Sequence, residues 1–416
     1  MPFNWKTAKD IDENDLLSLI GASWEGQSID FKKSAYPPPP DDALPSDQGE
    51  RDRVKNRWKI DLCTDLSALA NARGGWIICG IKEKGGVAEE LCGLGVDVDL
   101  ESEISRLEQC AMSGIEPTLP ALEIEPVKLE DPTKAAALVI RVPRSYRAPH
   151  RVRETRKFHV RRSGRNDEMN IDDLRMAFNL SESLVERVRD FRTTRIEALA
   201  ANRQEDIPVL LNPGARCVLH AIPLTSLDVG STLDLSAFNP RNPAQWTAQK
   251  MLYHGRFNLS GYVRPNGIEE PPRALNGYIQ VFRNGAVECV ETINAVDSAI
   301  GEMIGLDTLE HIIINDFETA LLIQKNLGVS LPIVIMVSVL GVKDAVLTMD
   351  RRRAFRYSEY RSIPLYQDRL LIPDTLVEDY ETDPKSAAKP ILDILWNVAG
   401  WERSLSYDDH GNWINS

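Results

Sequence analysis

Glu25, Asp30 and Lys32 stand within eight residues of one another, in the stretch Glu-Gly-Gln-Ser-Ile-Asp-Phe-Lys. Ile29-Asp30-Phe31-Lys32 alternates apolar and charged residues and predicts a half-exposed strand. Asp30 and Lys32 then share a face, because strand side chains repeat every second residue. Gly26 lets the chain turn so that the Glu25 carboxylate comes alongside Asp30. Two carboxylates and an ammonium so placed suit a divalent cation held by oxygens, with the lysine meeting a phosphate oxygen. A plain surface ion pair on a strand fits the same spacing. Glu83 is a further candidate, since it follows the apolar run Gly75 to Ile81 at a point where chain reversal exposes side chains.

A second feature is charge. From Arg141 to Arg165 there are ten Lys or Arg and one acid, Glu154, a net +9 within a chain whose formal charge is −13. A one-signed run dominated by arginine suits bidentate phosphate contacts, and Arg147, Arg151, Arg153, Arg156, Arg161 and Arg162 are the candidate nucleic-acid contacts. A solvated face is the plain alternative. The acidic total argues against a protein that coats nucleic acid with its whole surface.

The elements that must position these groups can be read in outline. Asp12 to Ile20 predicts a short helix, and Tyr36 to Asp52, with five prolines, a loop or insertion. Trp58, Leu62, Leu66, Leu69 and Ala70 form one helical stripe, with Gly74-Gly75 as the turn that ends it. Gly75 to Ile81 reads as a buried strand, Glu101 to Ala111 as a helix, and Ala135 to Val142 as a strand. Phe158 to Arg161 reads as a strand that carries arginine outward. Asn170 to Asn202 is nearly free of Gly and Pro and predicts one long helix or a helix pair. Beyond it, Arg216 to Ile222, a hairpin around Asn284-Gly285, a helix over Asp307 to Leu327 and a strand over Pro332 to Leu340 make a second α/β region. The fold class is mixed α/β (α+β), divided as 1–180, a helical linker 181–204, and 205–416.

Six scattered cysteines without a Cys-x-x-Cys pair read as buried thiols. His220, His254, His311 and Glu318 stand at unrelated spacings and read as structural. The longest apolar run, Leu331 to Val342, is too short to span a membrane, and no signal peptide is visible, so the expected location is cytoplasmic.

Glu25, Asp30-Phe31-Lys32, the helix end Ser67 to Gly75, Gly80 to Glu83 and the later Phe158 to Gly164 together resemble the Schlafen/AlbA-like domain, once described as a divergent AAA ATP-binding domain. The resemblance covers residues 15–180. It implies a mixed α/β nucleic-acid-binding domain that, in vertebrate Schlafens and some prokaryotic defence proteins, is a metal-dependent endoribonuclease on tRNA-like substrates. The family's three acidic positions fall on Glu25, Asp30 and Glu83, which would hold Mg2+ or Mn2+ and act with Lys32 in catalysis. Two departures stand out: Asp30 replaces the usual Glu, and Lys82 occupies a position where vertebrate members often carry Asp. The second half resembles the C-terminal region found with this domain in many bacterial proteins, and is read as a sensor, specificity or dimerisation module.

The expected function is therefore nucleic-acid binding, with cleavage of structured RNA favoured over DNA chemistry and with defence as a setting. A non-catalytic DNA-binding regulator or sensor is the alternative. ATP, lacking a G-x-x-x-x-G-K-[ST] loop, would have to use Gly74-Gly75 or the arginines. A homodimer is expected, because vertebrate Schlafens use two linked copies of this lobe.

Overall fold

Asp12 caps the first helix, α1 (Glu13–Leu17): its carboxylate accepts from the Asp15 amide while Asp15 accepts from the amide of Asp12. Two otherwise orphaned donors are satisfied reciprocally. The computed structural model describes residue 3 and residues 7–23, 25–119, 122–227, 232–233, 235, 255–267, 274–293, 296–298, 301–349 and 364–414. The chain divides into two units, Met1–Val185 and Glu186–Ser416.

In the first unit the alternating segment forms β1 (Ile29–Lys32). Three of its four residues are buried, so it is less exposed than its alternation suggests. Helix α2 (Gln48–Asn71) starts inside the stretch expected as a loop, with Asp47 accepting from the Glu50 amide at its N-terminus. Leu62, Leu66 and Leu69 of α2 bury against the next strand, β2 (Gly74–Cys79), and its neighbours. Gly74 and Gly75 open this strand instead of forming a plain turn. At Gly75 a Cβ would stand 2.6 Å from the Ser28 carbonyl oxygen, so only glycine admits the approach of the two parallel strands.

The chain continues through the hairpin β3 (Ile81–Lys84) and β4 (Val87–Leu91), helix α3 (Leu100–Gly114) and the short β5 (Ile115–Glu116). It then runs through β6 (Glu123–Lys128) and β7 (Ala136–Pro143). One sheet has the order β1-β2-β7-β6, with β1 parallel to β2 and the rest antiparallel. A second sheet adds β8 (Arg151–Val152), β9 (Lys157–Arg162) and β10 (Arg165–Glu168) in the order β10-β9-β8-β5. Asn71, at the end of α2, donates to the carbonyls of His150 and His159 and accepts from the His150 amide. It fastens the helix to this second sheet, a larger role than the end cap its position suggests.

Helix α4 (Ile171–Ala201) is a single run that carries the chain into the second unit, and it contains most of the expected linker. There β11 (Arg216–Pro223) lies within an antiparallel sheet of eight strands. On one side of β11 come β12 (Arg256–Asn258), β13 (Gly261–Pro265), β14 (Gly277–Phe282) and β15 (Val287–Thr292). Strands β14 and β15 form the hairpin around Asn284-Gly285. A small three-stranded sheet combines β16 (Val296–Ser298), β17 (Gly301–Gly305) and, later in the chain, Val346–Thr348. Helix α5 (Leu306–Asn326) lays Leu309, Ile313, Phe317 and Ala320 on one face of the large sheet. Strand β18 (Ile333–Leu340) pairs with β11, while β19 is the Val346–Thr348 strand just named. β20 (Arg369–Leu371) and β21 (Thr375–Val377) both pair with the far side of β18. The last helix, α6 (Pro384–Val398), packs on α5, and its Trp396 indole donates to Glu310 at 2.7 Å. The architecture is mixed α+β throughout.

Candidate nucleic-acid interface

Alternation along β1 places Asp30 and Lys32 on one face, away from Phe31, which joins an apolar core. Asp30 is only 2% exposed. A buried carboxylate needs charged or hydrogen-bonding partners, and both its oxygens have them: Arg161 Nη2 at 2.7 Å and Lys32 Nζ at 2.6 Å. Arg161 therefore points inward, opposite to the outward orientation its strand alternation predicts. Its Nε donates to the Gly26 carbonyl at 3.0 Å and its Nη1 to Asn166 at 3.2 Å. The guanidinium thus locks β9 and β10 onto the turn that precedes β1.

Lys32 also meets Asp65 of α2 at 3.2 Å. Asp65 in turn accepts from the Tyr36 hydroxyl at 2.5 Å and from the Asn166 amide. Burial opposes charge on Lys32, yet Asp65 and Asp30 outweigh it and hold the ammonium well above the usual lysine range. Burial pushes the Asp65 carboxyl up, against the pull of Lys32. Sequence reasoning missed Asp65, Tyr36 and Asn166. The one legible signal was an acid sitting among Leu62, Leu66 and Leu69, where an unpaired charge would be costly.

Glu25 and Glu83 line the same cleft as Asp30, Lys32 and Arg161. The cleft has a volume of about 570 Å3 and opens to solvent, with Lys33, Lys82, Arg165 and Asn166 also on its walls. Gly164 turns with φ +87°, and a Cβ there would press to 3.3 Å from the Glu25 carbonyl oxygen. Burial raises the Glu25 pKa; the Phe31 amide, which donates to it at 3.1 Å, works against this, and the Asp30 and Glu83 charges raise it further. Glu83 accepts from the Gly86 amide at 2.6 Å.

A divalent cation here would meet carboxylates that already have partners. Asp30 has given both oxygens to Lys32 and Arg161, and Glu25 and Glu83 each commit an oxygen to a backbone amide. Among the described residues no group of three or more His, Cys, Asp or Glu side chains is arranged to hold a metal ion.

The arginine run is more dispersed in space than in sequence. Arg141 pairs with Glu123, Arg151 with Glu116, Lys157 with Glu168, Arg162 with Asp173 and Arg165 with Asp167. Each acid comes from outside the 141–165 segment, so a count along the sequence overstates the local field. Arg147 lies over the Tyr146 ring. Arg153 and Arg156 are exposed, in the turn between β8 and β9. Six residues of strand, ~20 Å at ~3.3 Å per residue, separate that turn from the Arg162 end of β9, beside the cleft. Of the run, Arg161 and Arg165 line the cleft beside the acidic cluster, whereas Arg153 and Arg156 stand at the other end of β9.

Outside this unit, His220 is fully buried and bonded to Glu288 at 3.0 Å. His311 bonds the Asp307 carbonyl, and Glu318 is exposed. His254 lies outside the described residues. Five of the six cysteines are buried, Cys92 partly so, and all six are free thiols. Among the described residues no helix is long and apolar enough to cross a membrane.

Residues 25–170 match the family model described as Schlafen, AlbA_2, and the first unit carries a domain of that family. Two solved structures are similar to the chain at 19% identity. One is the DIP2311 protein from Corynebacterium diphtheriae (37% of this chain, 26% of that one, TM-score 0.24). The chain thus spans about a quarter of that protein's length. The other is the N-terminal domain of an ATP-dependent DNA helicase RecG-related protein from Nitrosomonas europaea (39% of this chain, 94% of that domain, TM-score 0.25). No curated protein matches the chain.

Proposed function

We propose that this protein binds nucleic acid through its first unit, gripping the sugar-phosphate backbone and reading few bases. One observation carries the proposal: an open, polar cleft with Lys33, Lys82 and Arg165 exposed on its walls lies within the residues that match Schlafen, AlbA_2. Cations of this kind replace the counterions condensed on phosphates and give affinity without sequence readout. Arg153 and Arg156, exposed at the far end of β9, add a second point of attachment. Structured, tRNA-like RNA is the proposed ligand. Its unpaired loops suit a cleft, and no helix-turn-helix pattern offers a helix to a DNA major groove.

The test is fluorescence anisotropy with a labelled RNA hairpin and a DNA duplex across 50 to 200 mM salt. The expected result is tighter binding of RNA with a steep salt dependence. Replacing Arg153 and Arg156 by Gln is expected to weaken binding about tenfold and to lower the salt slope by about 1 to 2. Absence of RNA binding at low salt, or binding indifferent to salt, overturns the proposal.

A second reading is cleavage of the bound strand, favoured by Glu25, Asp30, Lys32 and Glu83 lining one cleft. A Mg2+ or Mn2+ ion would have to compete with Lys32 and Arg161 for Asp30. Incubation of RNA with the protein in Mn2+ separates the readings. Intact RNA supports binding alone, and shortened products that disappear with Glu25→Gln support cleavage.

A further inference from the structure

Of the cations that line the cleft, four are already matched by acids: Lys32 by Asp30 and Asp65, Arg161 by Asp30, Lys82 by Glu89 and Arg165 by Asp167. Lys33 is different. It follows β1 directly, is exposed, and among the described residues has no acid within ion-pairing distance. It also lines a second cleft of about 530 Å3, which shares Lys32, Lys33, Asp65 and Asn166 with the first. The two clefts are neighbours across the Lys32–Asp65 ion pair.

Ser34 and Thr64 line the second cleft together with Lys33, and Asp61, which pairs with Arg57 at 3.9 Å, is also on its wall. Among the described residues neither hydroxyl is engaged by another side chain. An ammonium and two hydroxyl donors are the usual makings of a phosphate contact. The Asp61 carboxylate repels phosphate but accepts from a ribose 2′-hydroxyl, the group that distinguishes RNA from DNA. Both clefts open to solvent and are of a size that admits one nucleotide of a single strand.

We propose that the second cleft is a further backbone subsite for single-stranded RNA, and that Lys33, not Lys32, takes the phosphate where the strand crosses from one cleft to the next. Lys32 is the post that holds Asp30 and Asp65 together, and its charge is spent on them. The proposal rests on the nucleic-acid reading given above.

The experiment uses the full chain, a labelled single-stranded RNA 12-mer and the DNA 12-mer of the same sequence. Both substitutions fall on exposed residues, and matching thermal melts establish that the variants are folded. Lys33→Gln is expected to weaken RNA binding about fivefold to tenfold at 100 mM salt and to lower the salt slope by about 0.7, the value for one phosphate of a single strand. Ser34→Glu, which sets a negative charge in the second cleft, is expected to weaken RNA binding at least as much. The parent is expected to bind the DNA 12-mer more weakly than the RNA. If the parent binds RNA and either variant keeps its affinity and slope, the subsite is overturned while the nucleic-acid reading stands. Equal affinity of the parent for the two 12-mers also overturns the subsite as an RNA site. If the parent binds no RNA at low salt, both fall.

Discussion

Asp30 in the first unit and Glu288 in the second are both buried carboxylates held by an arginine, and their surroundings make them different kinds of site. Glu288 is fully enclosed, with Arg195 at 2.9 Å on both oxygens, His220 at 3.0 Å and the Tyr278 hydroxyl at 2.7 Å. Burial pushes its pKa up, but His220 and Arg195 outweigh that and bring it down to about 2. Asp30 is as buried, yet its neighbours Glu25, Glu83 and Lys33 face an open cleft. A closed set of partners fastens strand to helix. An equally buried pair at the floor of a cleft is a foundation on which less satisfied groups stand exposed to a ligand.

The sharpest way to break this comparison is to remove each arginine. Arg161→Ala and Arg195→Ala each strip the guanidinium from a buried carboxylate, leaving Lys32 beside Asp30 and His220 and Tyr278 beside Glu288, and each is expected to cost about 2–3 kcal/mol. Urea and thermal unfolding check this. A loss under about 1 kcal/mol for Arg161→Ala would mean that Asp30 is not structurally committed and is available to a cation.

Acid titration probes the closed site. A carboxyl whose folded pKa is depressed contributes stability above its unfolded value and loses it as pH falls through the folded one. The second unit should therefore lose on the order of 3 kcal/mol between pH 4.5 and about 2 through Glu288. Glu288→Gln, followed by thermal melts across that range, should remove this slope.

The cleft should show the opposite sign. Glu25 has a raised pKa, so its contribution to folding is present at low pH and is lost as pH rises from its ordinary value through the raised one. Its charge also opposes phosphate. Glu25→Gln is expected to tighten RNA binding about threefold at neutral pH and to flatten the rise in affinity that the parent shows on acidification, both read by anisotropy. Unchanged affinity and an unchanged pH profile would remove Glu25 from the ligand's path.

The smallest effect belongs to an exposed pair. Lys157 and Glu168 bond at 2.6 Å but are both more than half exposed. Lys157→Gln should leave the melting temperature unchanged within measurement, since solvent and salt screen such pairs. A clear drop would show that ladder pairs on β9 and β10 support the cleft.

Much of the fold was legible before the structure. The Leu62, Leu66 and Leu69 stripe gave α2, the apolar Gly75 to Ile81 run gave β2, which ends at Cys79, and the Gly-Pro-poor stretch Asn170 to Asn202 gave α4. These follow from local periodicity, which a chain carries within itself. Arg161 was misjudged because alternation tells which residues share a face but not which face is buried, and its partner Asp30 is 131 residues away. Tyr36 was assigned to a loop because prolines surround it, although its hydroxyl reaches Asp65.

Sequence by itself determined the elements, the mixed α+β class, the domain family and the presence of Glu25, Asp30 and Lys32 on one short segment. Tertiary structure decided how those charges are spent. Ion pairs depend on distances between segments remote along the chain, so only folding could commit Lys32 and Arg161 to Asp30, scatter the arginine run among acids from elsewhere, and leave Lys33 facing two clefts unmatched.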